Sequence, residues 1–222
     1  MSMTYTVVRA REANAADAVW EKPFWQSVPA LSLEHAHSDS SAHRPLTKAK
    51  VAYDEEALSL IFSVQNDFIR AATTTLHGPV WQDSCVEFFW APYGGQETKA
   101  YYNLEINCGG TLLLQHHAGP RQETRFIDAR QCRCITIASS VSEPLPQETT
   151  EPSTWTLEVI LPFSVFAQDL LFVPAGPGVI WRANFYKCAD HSTRPHWLSW
   201  SPVSSGRPDF HRPDCFGALH FV

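Results

Sequence analysis

The chain has 222 residues, 44% hydrophobic and 12% aromatic, long and apolar enough to bury a core without metal or disulfide staples. Its formal net charge is −6, from 17 basic and 23 acidic residues with no run of like charge, so the basic stripe that a nucleic acid or an anionic membrane requires is missing. No stretch approaches ~18 consecutive apolar residues, and Met1 to Arg11 lacks the apolar core of a signal peptide. The sequence as given therefore reads as cytoplasmic and free of the membrane, or as extracellular if its start was trimmed.

In chain order, Ala15 to Trp20 offers a turn or two of helix, and Ser38 to Pro45 reads as a loop. Lys48 to Tyr53 then alternates, with Ala49, Val51 and Tyr53 on one side and Lys48 and Lys50 on the other. Leu58, Leu60, Phe62 and Val64 repeat that period, and Asp54-Glu55-Glu56 between the two runs suits a hairpin turn. Cys85 to Ala91 is apolar on both faces except at Glu87. Tyr101 to Asn107 sets Tyr102, Leu104 and Ile106 against Tyr101, Asn103, Glu105 and Asn107, and Gly109-Gly110 turns it into Thr111 to Gln115. Further strands are expected at Cys134 to Ser140, Trp155 to Leu161, Val179 to Cys188 and Phe216 to Val222, with a helical turn at Pro162 to Ala167. Glu143 to Ser153 and Pro202 to Pro213 read as long loops. Many short strands parted by Pro, Gly and Asn/Asp clusters predict an all-β chain, an antiparallel β-sandwich with few short helices and no internal boundary from 1 to 222.

Strand parity also gathers polar residues. Asn103, Glu105 and Asn107 share one face, as do Arg182, Asn184 and Tyr186, and Glu87 interrupts the run before them. If those strands are neighbours, one sheet face carries two carboxylates, an arginine and several amides, and Glu105 is expected to pair with Arg182. Such a face must pair internally or bind something polar. Trp81 lies in the loop entering the Glu87 strand, and Trp197 and Trp200 precede the last long loop. A sugar ring needs this mixture, because its C–H face stacks on an indole while its hydroxyls need oriented donors and acceptors. The alternative is that the tryptophans are core and the Glu105–Arg182 pair is internal. The six cysteines show no CxxC rib, so neither zinc nor a disulfide framework is expected, although parity makes Cys85 and Cys188 the pair best placed to meet.

The stretch Val80-Trp81-Gln82-Asp83-Ser84-Cys85-Val86-Glu87-Phe88-Phe89, followed by Tyr101-Tyr102-Asn103-Leu104-Glu105-Ile106-Asn107, resembles the signature of family 9 carbohydrate-binding modules. Ala49 to Asp54, Leu58 to Val64, Trp155 to Pro162, Trp181 to Tyr186, Trp200-Ser201-Pro202 and Phe216-Gly217 follow the same pattern in order, so the likeness spans roughly residues 15 to 222. It implies a β-sandwich of the DOMON-like class, associated with glycoside hydrolases and carbohydrate catabolism, that binds a mono- or oligosaccharide end without cleaving it. Two tryptophans would clamp the terminal sugar while a carboxylate and amides bond its hydroxyls. Trp81 and Glu87 carry over by their spacing, Asn103 and Glu105 follow, and the second clamp is either Trp197 or Trp200.

Two other readings compete. Glu87 and Glu105 could serve as acid and base of an O-glycosyl hydrolase. A haem-binding DOMON domain would need axial ligands from Met1, Met3 or a histidine pair among His35, His37, His116, His117, His191 and His196. No cofactor is expected. Calcium occurs structurally in the related modules, and Asp54, Glu55, Asp67 or Asp83 could hold it, though no loop has EF-hand spacing.

Overall fold

A computed structural model describes residues 3–96, 98–143 and 145–222. Met1, among the haem candidates, and Pro144, in an expected loop, lie outside the described residues. The strands are β1 (Thr4–Arg9), β2 (Leu31–Ser32), β3 (His35–Ala36), β4 (Leu46–Tyr53), β5 (Ala57–Asn66), β6 (Ile69–Ala71), β7 (Cys85–Ala91) and β8 (Tyr101–Asn107). They continue as β9 (Leu112–His117), β10 (Arg125–Phe126), β11 (Thr136–Ser139), β12 (Leu145–Thr149), β13 (Ser153–Pro162), β14 (Ile180–Cys188), β15 (Trp197–Ser199) and β16 (Gly217–Phe221). Helix is confined to α1 (Pro23–Gln26), α2 (Ala129–Cys132) and short 3-10 turns. Among the described residues no helix is long and apolar enough to cross a membrane.

The strands form a β-sandwich. One sheet runs β10-β9-β8-β7-β14-β16-β1 and the other β1-β4-β5-β13-β11. The period-two pattern explains the core: Phe88, Trp90, Leu104, Ile106 and Phe185 point inward from the first sheet and meet Val51, Leu60, Phe62, Leu157 and Val159 from the second. Pairing is antiparallel except around β1, which runs parallel to β16 over Thr4–Val7 and parallel to β4 over Val8–Arg9. This strand, hidden in a start read only for its lack of a leader, crosses from one sheet to the other and joins them.

The expected helix at Ala15 to Trp20 does not form. The backbone amides of Asp17 and Ala18 both donate to Glu158 on β13, at 2.9 Å each, and Ala18 sits at φ 59°, so the segment is held as an extended strap. Only at Pro23, with its φ already helical, does α1 begin. The strap lays Trp25 and Val28 over Ala52 and Ile61 on the outer face of the second sheet. Lys50, on the side of β4 opposite Ala49 and Val51, is buried there and donates to the Trp25 carbonyl at 2.8 Å. The expected loop at Glu143 to Ser153 contains β12, which pairs with β6. The turn after Pro162 forms as Phe163–Phe166.

At one end of the interior, the fully buried Lys187 donates to the Cys188 carbonyl at 2.7 Å and faces His196 Nε2 at 2.9 Å. Burial first, and the Lys187 charge second, push the His196 pKa down to about 2. The folded protein therefore keeps His196 neutral while the unfolded chain takes up a proton below its ordinary pKa. The contribution is complete above about pH 6.5 and is lost as pH falls, by about 1.4 kcal/mol per pH unit. His196→Gln removes that sensitivity. Between about pH 7.5 and pH 5, the stability gap between the native protein and this variant is expected to narrow by about 2 kcal/mol in urea unfolding. A constant gap would mean that His196 is protonated in the fold.

Candidate functional site

The outer face of the first sheet carries the polar parity. Each residue is fixed by register: Tyr186 stands opposite Glu87, Glu87 opposite Glu105, and Glu105 opposite Leu113. One row along lie Phe89, Asn103 and Gln115, and beyond them Tyr101 and His117. Above this floor is a cavity of about 390 Å³, within the range of small-ligand sites. Glu87, Glu105, Gln115 and His117 line its base, Trp81, Trp197 and Phe126 its walls, and Phe210 with His211 its far side.

The walls are held from behind. Pro79 leads into the 3-10 turn Val80–Gln82, whose Trp81 carbonyl accepts from the Asp190 amide at 3.1 Å and whose Gln82 carbonyl accepts from His191 at 3.1 Å. The next residue, Asp83, is fully buried; it accepts from the Thr73 amide at 2.8 Å and Asn107 Nδ2 at 3.0 Å, and pairs with Arg70 at 2.9 Å. That anchored loop leaves Trp81 37% exposed over the cavity, an unusual placement for a large apolar side chain. Trp197 ties its indole N–H to Asp190 Oδ1 at 2.7 Å, which fixes the ring. At the rim Arg121, on the turn after β9, pairs with Asp209 of the long 202–213 loop at 2.8 Å.

The floor is strongly desolvated. Glu87 is 3% exposed and Glu105 5%. Burial, then the neighbouring Cys188 and Glu105, hold the Glu87 pKa well above the carboxylate range. Burial likewise pushes Glu105 up to about 7, against the pull of the Asn103 amide. Asn103 donates to Glu105 at 2.8 Å and to Gln115 Oε1 at 3.3 Å, and His117 holds its carbonyl oxygen at 2.9 Å, so its amide is taken up by the residues that line the cavity base. Burial also lowers His117 to about 4 and His211 to about 3, so both rings are neutral near pH 7. The result is a concave surface of aromatic faces over two carboxyl groups, an amide and neutral imidazoles, suited to a neutral, hydroxyl-rich ring.

Of the sequence-predicted residues, Trp81, Glu87, Glu105 and Trp197 meet at this cavity, and Asn103 stands directly behind Glu105. Three others do not join them. Arg182 shares the sheet and the face, but register sets it opposite Ala91, so no Glu105–Arg182 pair forms; its Nε donates to the Phe216 and Gly217 carbonyls at 3.1 Å. Asn184 is consumed by the backbone of Ser201, at 2.9 and 2.8 Å. Trp200 is 3% exposed and packs edge-on against Phe185 in the core. Sequence reasoning missed Gln115 and offered His117 only as a haem ligand, though parity on β9 places both here; it also missed Asp190, Asp209 and Phe210, for which loop sequence carries no signal. The carboxylates considered for calcium are scattered. Of them, Asp83 is paired with Arg70, Glu55 with Arg9, and Asp54 caps its own turn. Cys85 and Cys188 stand directly opposite each other as free thiols.

The fold has counterparts among known proteins. A protein from Bacteroides uniformis whose carbohydrate binding is inferred superposes with TM-score 0.89 at 27% identity, covering 100% of both chains. A carbohydrate-binding module of family 9 from Caldicellulosiruptor kristjanssonii, in complex with cellotriose, shares the fold at TM-score 0.66 and 15% identity, over 99% of this chain and 93% of that one. A module of the same family and organism, in complex with glucose, gives TM-score 0.64 at 13% identity, over 98% and 96%. No curated protein matches. The model of carbohydrate-binding family 9 matches residues 21–221, nearly the whole chain, and the chain therefore belongs to carbohydrate-binding family 9.

Proposed function

We propose that the cavity receives the end of a mono- or oligosaccharide, stacked against Trp81 and Trp197 and hydrogen-bonded through Glu87, Glu105 and Gln115, and that the protein releases it unchanged. The observation that carries this reading is the exposed Trp81 indole standing over two adjacent buried carboxyl groups. Asn103 acts behind Glu105 as its positioning residue. Arg182, Asn184 and Trp200 have structural parts. The link to carbohydrate catabolism follows from the family resemblance and is part of the same proposal.

Hydrolysis is the competing reading, carried by Glu87 and Glu105 standing opposite each other on one sheet face. Calorimetric titration with glucose and cellotriose, the ligands of the Caldicellulosiruptor modules, tests the reading. Millimolar binding corresponds to about 4 kcal/mol. Trp81→Ala removes stacking plus apolar contact, about 1.5–3 kcal/mol, so affinity is expected to fall at least about tenfold with little change in stability. Steady release of reducing ends, abolished by Glu87→Gln, would overturn the proposal in favour of an enzyme. Unchanged affinity in Trp81→Ala would remove the stacking site.

A further inference from the structure

On the cavity floor, β7 and β14 bring two thiols, which the sugar reading does not use, beside Glu87, which it does. Cys188 is paired directly with Cys85, and Glu87 follows two residues on, on the same face. Both thiol sulfurs and a Glu87 carboxylate oxygen lie within 4.8 Å of one another. We propose that Cys85, Glu87 and Cys188 form a binding site for a thiophilic divalent metal ion of the zinc class, with a fourth position open to the cavity.

The geometry suits such an ion. Zinc–sulfur and zinc–oxygen bonds of about 2.3 and 2.0–2.2 Å give a tetrahedron with edges of about 3.5–3.8 Å. The Cys188 Sγ to Glu87 Oε1 separation of 3.0 Å and the 4.8 Å limit on the trio bracket those edges. All three ligands belong to paired strands rather than loops, so the site is set by register before any ion arrives. Access is open, because Glu87 and Cys188 themselves line the cavity. Two sulfurs and one carboxylate favour the zinc class over calcium or magnesium, which prefer all-oxygen shells.

The surroundings supply an outer shell. Glu87 has no basic partner among the described ion pairs, although it is 3% exposed. Directly opposite it, Glu105 is 5% exposed, and its Oε2 is buried without a hydrogen-bond partner while the residue lines the same cavity. That oxygen is placed to accept from a water or hydroxyl on the open metal position. The Trp81 carbonyl, 3.5 Å from Cys188 Sγ, is a further oxygen at the edge of the site. As the ion enters, the two thiol protons and any carboxyl proton leave to solvent, so charge and protons balance without a redox partner.

The test uses the full chain, reduced and handled without oxygen. Cadmium, as a spectroscopic stand-in for zinc, is titrated in while the thiolate-to-metal charge-transfer band is followed, and zinc retained per chain after gel filtration is measured by mass spectrometry. One equivalent and a saturable band are expected. Cys188→Ser, Cys85→Ser and Glu87→Gln are each expected to weaken binding more than about tenfold, since loss of even an outer partner has that effect. Cys134→Ser, at an exposed thiol elsewhere, is expected to leave binding unchanged. Trp81→Ala should lose sugar and keep metal, which separates failure of this site from failure of the sugar reading. Absence of a charge-transfer band in the native protein overturns the proposal, as does retention of the ion when either cysteine is replaced. Because the first of these is read on native protein, a variant that does not fold leaves the test intact.

Discussion

Replacing Glu158 by Ala is expected to lower unfolding stability by about 3–5 kcal/mol, the range for leaving the partners of a buried ion pair without their counter-charge. Glu158 is fully buried in β13, yet every donor around it is satisfied by it. Asn14 Nδ2 and Trp25 Nε1 reach Oε1 at 2.9 and 2.8 Å, the amides of Asp17 and Ala18 reach Oε2 at 2.9 Å, and Lys22 Nζ lies 2.8 Å from Oε1. These donors come from the strap that covers the second sheet, so one carboxylate holds the segment from Asn14 to Trp25. Denaturant unfolding reads the loss, and faster proteolysis after Lys22 should accompany it. Glu56→Ala, on an exposed turn, should stay within about 0.5 kcal/mol. A change below about 1 kcal/mol for Glu158→Ala would mean that apolar packing alone holds the strap.

The opposite sign is expected on the other face. Glu105→Met should raise stability at neutral pH by about 1–3 kcal/mol, because it removes a buried carboxyl oxygen that has no partner while keeping side-chain volume. Sugar binding in the same variant should fall below detection in calorimetry. The direction follows from burial, which already pushes the Glu105 pKa to about 7. The unfolded carboxyl ionises near its ordinary value while the folded one resists until about 7, so the stabilisation should grow as pH rises from about 4.3 to about 7 and level off above it. Equal or lower stability of the variant across that range would show that Glu105 is well solvated.

These two glutamates show what sequence could and could not say. Glu87, Glu105 and Glu158 carry one signature, a carboxylate inside an apolar alternating run, and only the first two were singled out. Nothing local marks Glu158 as satisfied, because its donors lie more than a hundred positions earlier in the chain. The bounds of β7 and β8 were legible because alternation there is regular and turn residues flank both. Alternation fixed the face of Arg182 and its sheet, but not its height along the strand. Register put Tyr186 beside Glu87 and left Arg182 four residues away, about 13 Å. The choice between Trp197 and Trp200 was in fact open to the same rule. Residues three apart in extended chain face opposite sides, so only one could reach the cavity. Trp197 does, while the Trp200 ring lies so close to Gly217 that a Cβ there would fall 2.6 Å from it.

The strict alternation of the first sheet has a consequence for how this protein can change. In β9, Leu113, Gln115 and His117 stand on the cavity side, while Leu114 between them is sealed in the core. Specificity and foldedness are thus written on interleaved positions of the same short strand, read from opposite sides. A lineage, or an engineer, can rewrite every second residue to suit a new ligand and leave the residues that keep the protein folded untouched.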